Sequence, residues 1–175
     1  MKTNLLIALF AMLALVAGVI VQMQLSADQQ SAAPAQQLEF AFPDVNGQMQ
    51  AVSQWRGKIL LLNFWATWCP PCLKEMPDFI QWQQEFQASD VQFVGIALDD
   101  QAAVAAYLQR INVNYPILIA GDEGSVLARQ LGNIINAVPF TVVIDRQGQI
   151  VHRQPGELSR KQFLQVVQPL LAAKG

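Results

Sequence analysis

Charge is what this 175-residue sequence has little of: Asp, Glu, Lys and Arg together make up 14%, against about a quarter in an average soluble domain. Eleven Lys and Arg face thirteen Asp and Glu, a formal net charge of −2, and no basic run occurs. Recognition of nucleic acid through its phosphates is thereby excluded as a leading role. Histidine occurs once and cysteine twice. Two cysteines are too few to staple a small secreted scaffold, and with a single histidine they make a poor ligand set for a metal. No internal repeat is present. Apolar residues, by contrast, reach 53%, which is too many for a disordered chain.

Part of that excess is concentrated at one end. Leu5–Val21 contains no polar or charged side chain. As a helix these 17 residues would span about 25 Å, and continuing to Leu25 reaches about the thickness of a hydrocarbon core. A cleaved secretory signal is the alternative, but its small-x-small site is badly placed. Leu25-Ser26-Ala27 puts a large side chain at the first position, and Ser31-Ala32-Ala33 lies ten residues past Val21, followed by Pro34. Residues 1–25 therefore read as an uncleaved anchor. Lys2 orients its start to the cytoplasm and puts the rest of the chain outside the inner membrane, in the periplasm if the cell has one. Residues 26–37 (SADQQSAAPAQQ) have no large apolar side chain and read as a flexible linker. Residues 38–175 are then the folded domain, long enough to bury a core.

Within that domain, Leu38–Phe42 and Met49–Val52 flank Asn46-Gly47, the pattern of a β-hairpin. Ile59–Trp65 is almost unbroken apolar, as a central strand covered on both faces would be. Pro70–Ala88 has helical spacing, with Pro70 and Pro71 suited to a first turn. Val91–Leu98 predicts a second buried strand, Ala102–Arg110 a helix capped by Asp99 or Asp100, and Tyr115–Ala120 a short strand. Ser125–Leu131 predicts a short helix, Phe140–Ile144 and Gln149–Arg153 a strand pair, and Ser159–Leu171 a closing helix. Strands alternating with helices, then a hairpin and a helix, make an α/β fold with a mixed sheet.

The two cysteines sit two residues apart in Trp68-Cys69-Pro70-Pro71-Cys72, where a buried strand passes into a helix. Unpaired N–H groups and the positive end of the helix dipole favour a thiolate at Cys69. Pairs so placed have thiol pKa values of about 3.5–7.5 rather than about 8.5. Cys72, one turn on, faces inward and can attack a mixed disulfide formed at Cys69. Neither proline can donate a hydrogen bond to a sulfur. Two other readings stay open on the spacing alone. A zinc site needs about four ligands and finds only His152, eighty residues away. A structural staple across so short a loop would gain little loop-closure stability.

Asn63-Phe64-Trp65-Ala66-Thr67-Trp68-Cys69-Pro70-Pro71-Cys72, followed by Lys74-Glu75-Met76-Pro77, resembles the thioredoxin-fold disulfide oxidoreductases of the TlpA/ResA type, and their membrane-tethered CcmG/DsbE-type relatives of cytochrome c maturation. Val138-Pro139-Phe140-Thr141-Val142-Val143-Ile144-Asp145 is similar to the family's second motif. The resemblance covers residues 38–172. It implies a thioredoxin-like α/β fold with a mixed central sheet, an N-terminal β-hairpin and an inserted helix–strand segment over Gln101–Ala120. It further implies a cis bond before Pro139, facing the cysteines, and a partly buried Glu75 that influences their protonation. Pro139 has no N–H, so the backbone of Val138 is free to pair with a substrate chain as a short extra strand. Thioredoxin has a buried aspartate at Asn63 and a lysine near Gly95. Neither residue here can move a proton, which leaves Glu75 as the candidate. Phe140, where relatives often have Thr, predicts a more apolar groove, and Trp68 an exposed part of the substrate surface. Trp55, Trp65 and Trp82 read as packing residues.

These residues predict catalysis by Cys69, Cys72 and Glu75 and substrate contact by Trp68, Pro70, Pro71, Val138 and Pro139. The redox disulfide would be Cys69–Cys72, with no cofactor and no metal. The resemblance implies the reducing direction, with disulfides of envelope proteins or apocytochrome c as substrates and an inner-membrane electron donor of the DsbD/CcdA type. A disulfide oxidase and a module that binds cysteine-containing chains without turnover are the alternatives. A peroxidase is disfavoured because no Pro-x-x-x-Thr-x-x-Cys pattern occurs.

Overall fold

The computed structural model describes residues 38–173 and, ahead of them, Met12, Leu15, Gly18, Val19, Val21 and Gln22, all helical. Met1–Gln36 and Gln37–Gly175 separate into two compact units. Among the described residues no helix is long and apolar enough to cross a membrane. Apart from those six positions, the anchor expected over 1–25 and the linker expected over 26–37 lie outside the described residues.

In the second unit, β1 (Ala41–Pro43) and β2 (Met49–Ala51) form an antiparallel hairpin. Its turn is closed by Asp44, whose Oδ1 accepts the backbone N–H groups of Asn46 and Gln48 at 2.8 and 3.0 Å. The hairpin is shorter than expected and begins at Ala41 rather than Leu38. The chain leaves β2 directly into a 3₁₀ turn over Val52–Trp55, so only three residue pairs form. Then come β3 (Ile59–Trp65), α1 (Pro70–Phe86), β4 (Val91–Ala97), α2 (Gln101–Leu108), β5 (Ile117–Ile119), α3 (Gly121–Gln130), β6 (Phe140–Ile144), β7 (Ile150–Pro155) and α4 (Arg160–Ala172).

The main sheet has the order β5-β4-β3-β6-β7. β3, β4 and β5 run parallel, joined by helical crossovers, while β6 and β7 are antiparallel to their neighbours. The sheet is therefore mixed, and the α2–β5 segment adds its outer parallel strand. All seven residues of β3 are buried, as a central strand between two layers requires. Side chains alternate across it. Ile59, Leu61 and Trp65 enter a core with α1, α2 and α4, while Leu60, Leu62 and Phe64 enter a second core with the hairpin and α3.

α3 begins at Gly121, four residues ahead of the expected Ser125. Asp122 and Glu123 lie in its first turn, where negative charge suits the dipole. Gly124 continues the helix because it packs where nothing larger fits: a Cβ there would come 2.5 Å from Leu98 Cδ2 and 2.8 Å from Ala120 Cβ.

The first core is built on aromatic rings. Phe163 of α4 stacks on Trp82 of α1 at 4.7 Å between centroids and meets Phe86 edge-on at 5.3 Å and Phe93 at 5.8 Å. Removing a fully buried aromatic of this kind costs about 3–5 kcal/mol. Phe163→Ala is expected to lose that much in urea unfolding at constant m-value. A loss below about 1 kcal/mol would show that the cluster refills the space.

Candidate active site

β3 carries the chain out of the core, and the turn Ala66–Trp68 delivers Cys69 to the start of α1. Cys69 is the residue that caps the helix, in extended conformation (φ −103°, ψ 96°), with prolines in the first two helical positions. A helix start offers N–H groups with no partner inside the helix. Pro70 and Pro71 have none to offer, so the first free donor is the N–H of Cys72. It points at Cys69 Sγ at 3.3 Å, and the Leu73 N–H goes to the Cys69 carbonyl. The sulfur thus takes the place of a capping oxygen. When the pair is reduced, this N–H and the helix dipole favour the thiolate form at Cys69. In the structure Cys69 and Cys72 are joined as a disulfide with a Cα–Cα distance of 5.3 Å. Both are buried, Cys69 to 3% and Cys72 to 1% residual exposure.

Glu75 follows Cys72 by one turn of α1 and is also buried. Its Oε1 accepts the Asn63 side-chain N–H at 3.0 Å, and its Oε2 accepts the backbone N–H of Leu158 at 3.0 Å. Asn63 donates in turn to Thr141 Oγ1 at 3.0 Å, its direct partner across β3 and β6. Burial pushes the Glu75 carboxyl up to about 7, against the pull of the Leu158 and Asn63 hydrogen bonds. Its charge change therefore falls at neutral pH, where a proton acceptor beside a thiol is useful. Gly95 lies beside Asn63 in the β3–β4 register. A Cβ there would come 2.6 Å from Ile117 Cδ1 and 3.1 Å from Trp65 Nε1, so the space a longer side chain would need is already filled.

The Val138–Pro139 peptide is cis, and β6 starts at the next residue, Phe140, opposite Phe64 of β3. Val138 packs against the core cluster that contains both cysteines. Trp68 is 65% exposed. Trp55, Trp65 and Trp82 are buried, and His152 is half-buried on β7. Phe140 does not line a groove. It is buried in the second core against Phe64, with 5.9 Å between ring centroids, because side chains alternate along β6 and this position points away from the cysteines.

Two residues act on the site in ways that their sequence neighbourhood does not announce. Asp99, expected as one of two possible helix caps, accepts the Thr67 backbone N–H at 3.1 Å and the Thr67 hydroxyl, fixing the turn before Cys69. The cap of α2 is Asp100, which accepts the Ala103 N–H at 2.8 Å. Asn133, buried ahead of Pro139, holds the backbone of Ala137 through both of its amide atoms.

The raised carboxyl has a thermodynamic signature. Between pH 4.5 and about 7 the unfolded chain has already released the Glu75 proton while the folded chain keeps it. Stability therefore falls as pH rises through that window and levels off above it. At about 1.4 kcal/mol per pH unit the total is about 3 kcal/mol. Urea midpoints of the oxidised protein are expected to show this decline, and Glu75→Gln is expected to abolish it. The same slope in the variant would assign the titration to another group.

Known proteins resemble this chain in sequence and fold. The sequence pattern of the AhpC/TSA family matches residues 30–153. The thiol-disulfide oxidoreductase ResA of Bacillus thuringiensis subsp. konkukian is 28% identical over 125 residues, which cover 71% of this chain and 70% of that protein. A thiol:disulfide interchange protein of the thioredoxin family from Chlorobium tepidum TLS superposes with a TM-score of 0.70 at 30% identity, covering 80% of this chain and 98% of that one. A secreted Mycobacterium tuberculosis disulfide oxidoreductase homologous to E. coli DsbE gives 0.60 at 27% identity, covering 77% and 96%. Family pattern, relatives and fold therefore agree, and the chain belongs to the AhpC/TSA family, as a thioredoxin-fold thiol–disulfide oxidoreductase of the TlpA/ResA type.

Proposed function

We propose that the chain reduces disulfides of other proteins on the outer side of the inner membrane, held there by residues 1–25 through the linker 26–37. The observation that carries the redox assignment is the Cys72 N–H directed at Cys69 Sγ. It marks Cys69 as the sulfur that bears charge in the dithiol state and Cys72 as the one that waits beneath it. The reducing direction rests on the likeness to the TlpA/ResA type, and the location on the apolar run behind Lys2.

In this reading the Cys69 thiolate attacks one sulfur of a substrate disulfide, and the other substrate sulfur leaves as a thiolate that takes up a proton. Trp68, Pro70 and Pro71 form the surface against which the substrate chain lies and Val138 offers it backbone hydrogen bonds, while Pro139, expected to touch the substrate, is itself buried. Cys72 then passes its proton to Glu75 and attacks Cys69 Sγ. The Cys69–Cys72 disulfide closes and the second substrate sulfur departs, taking a proton. Substrate gains two electrons and two protons: both electrons come from the cysteine pair, one proton is the Cys72 proton released from Glu75, and the other comes from solvent, which received it when Cys69 ionised. An inner-membrane donor of the DsbD/CcdA type would restore the dithiol. Disulfides of envelope proteins, apocytochrome c among them, are the substrate class that this location supplies.

Insulin reduction by the dithiol form is expected to disappear in Cys69→Ser. Cys72→Ser should instead accumulate a mixed disulfide with its substrate, from which the partner can be identified. Equilibration with glutathione is expected to place the pair near the thioredoxin potential of about −270 mV, and a value near the DsbA potential of about −120 mV would reverse the direction to oxidation. Binding of cysteine-containing chains with no turnover would leave only a docking module.

The location has its own test. The full chain should sediment with the membrane fraction and resist release by high salt, while a chain starting at residue 38 should remain in the supernatant. A shortened product in the supernatant would point to cleavage of the N-terminal segment, and the intact chain there would overturn the anchor.

A further inference from the structure

The loop between α3 and β6 is held more firmly than a connection of its length needs to be. Asn133, 2% exposed, donates its amide N–H to the Ala137 carbonyl at 2.8 Å and accepts the Ala137 N–H on its Oδ1 at 3.2 Å, a side-chain imitation of a strand pairing. The Ile134 N–H bonds the Gly132 carbonyl at 3.0 Å and the Asn136 N–H the Asn133 carbonyl at 3.1 Å. Arg153 of β7 donates to the Leu131 carbonyl at 2.6 Å, pinning the base of the loop. Yet this fixed loop turns two adjacent apolar side chains outward: Ile134 is 89% and Ile135 69% exposed. Two adjacent large apolar side chains held out to water gain nothing within the chain and offer a contact to another molecule.

Their position says what covers them. The loop runs through Val138, which packs on the cluster holding both cysteines, into Pro139 at the end of β3 where Cys69 is delivered. Trp68, beside Cys69, is a further exposed apolar side chain, at 65%. Cys69 is itself only 3% exposed, so a disulfide on another chain can meet it only when that chain lies closely against the surface around it. The backbone groups of Val138 have no hydrogen-bond partner among the described residues. A polypeptide extended along Val138 would carry its neighbouring side chains over Ile134 and Ile135.

We propose that Ile134 and Ile135, with Trp68, form an apolar docking rim that selects protein substrates whose cysteine is flanked by large apolar side chains. This rests on the disulfide-exchange reading of Cys69 and Cys72 and adds the class of chain that the site prefers. The apolar character anticipated at Phe140 is supplied from this loop instead. Covering one or two isoleucine side chains corresponds to a preference of about tenfold to a hundredfold.

The test uses two peptides with serine in place of the cysteine, one with leucine and phenylalanine at the flanking positions and one with serine there. Binding to the full chain is followed by calorimetry. The native chain is expected to bind the apolar peptide at least about tenfold more tightly. Ile134→Ser/Ile135→Ser should erase that ratio, and Ile134→Leu/Ile135→Leu should restore it, with urea midpoints near the native value throughout. A ratio near one in the native chain, or an undiminished ratio in the serine variant, overturns the rim. Turnover of the matching disulfide-bonded peptides is measured alongside. Its absence with the binding ratio intact would leave the rim standing and remove the reductase reading instead.

Discussion

Burying the Glu75 carboxyl among aliphatic and aromatic side chains is costly, and the fold offsets that cost only by bringing separate segments to it. Asn63 from β3 and the backbone of Leu158 ahead of α4 each supply a donor, and Thr141 of β6 holds Asn63 in place. The antiparallel register of β3 and β6, the packing of α1 on the sheet and the approach to α4 are therefore tied to one side chain, which sits a turn below Cys72. Both acceptors of the carboxyl are occupied, and burial still keeps its affinity for a proton near neutrality. The same geometry that organises this end of the core therefore leaves a titrating group one helical turn from Cys72.

The single donor at Cys69 Sγ follows by subtraction. An ordinary helix start presents several unpaired N–H groups, which would compete for water, for substrate carbonyls and for the sulfur. Two prolines remove the first two, and what remains is one donor aimed at Sγ. Asp99 then fixes the preceding turn from the far side through Thr67, so the sulfur is positioned by elements on both sides of it.

Much of this was legible in the amino-acid sequence because it depends on local rules. The unbroken apolar run of β3, the proline pair in the first turn of α1 and the helical spacing of Met76, Phe79 and Trp82 each reflect burial or backbone geometry over a few residues. What was not legible depends on register and distance. Nothing in the residues near Asp99 announces that it reaches back 32 positions to Thr67, nor does a lone Asn133 announce a clamp on Ala137. The start of α3 was hidden because Gly124 looks like a helix breaker until Leu98 and Ala120 are seen to exclude any larger residue. Phe140 misled for a related reason. Its neighbour Pro139 belongs to the site, but alternation along β6 sends the next side chain to the opposite layer.

The two lateral borders of the main sheet remain. β5 is three residues long and receives a bridge from Asp44 of the hairpin to Leu118. β7 has a register shift near Val143 and Ile144, carries the cation of Arg153 and ends in Pro155. Short, bulged, charged and proline-terminated borders are poor templates for strand-to-strand growth between molecules. A chain that exchanges disulfides with other proteins thus keeps its own ladders from being extended by them.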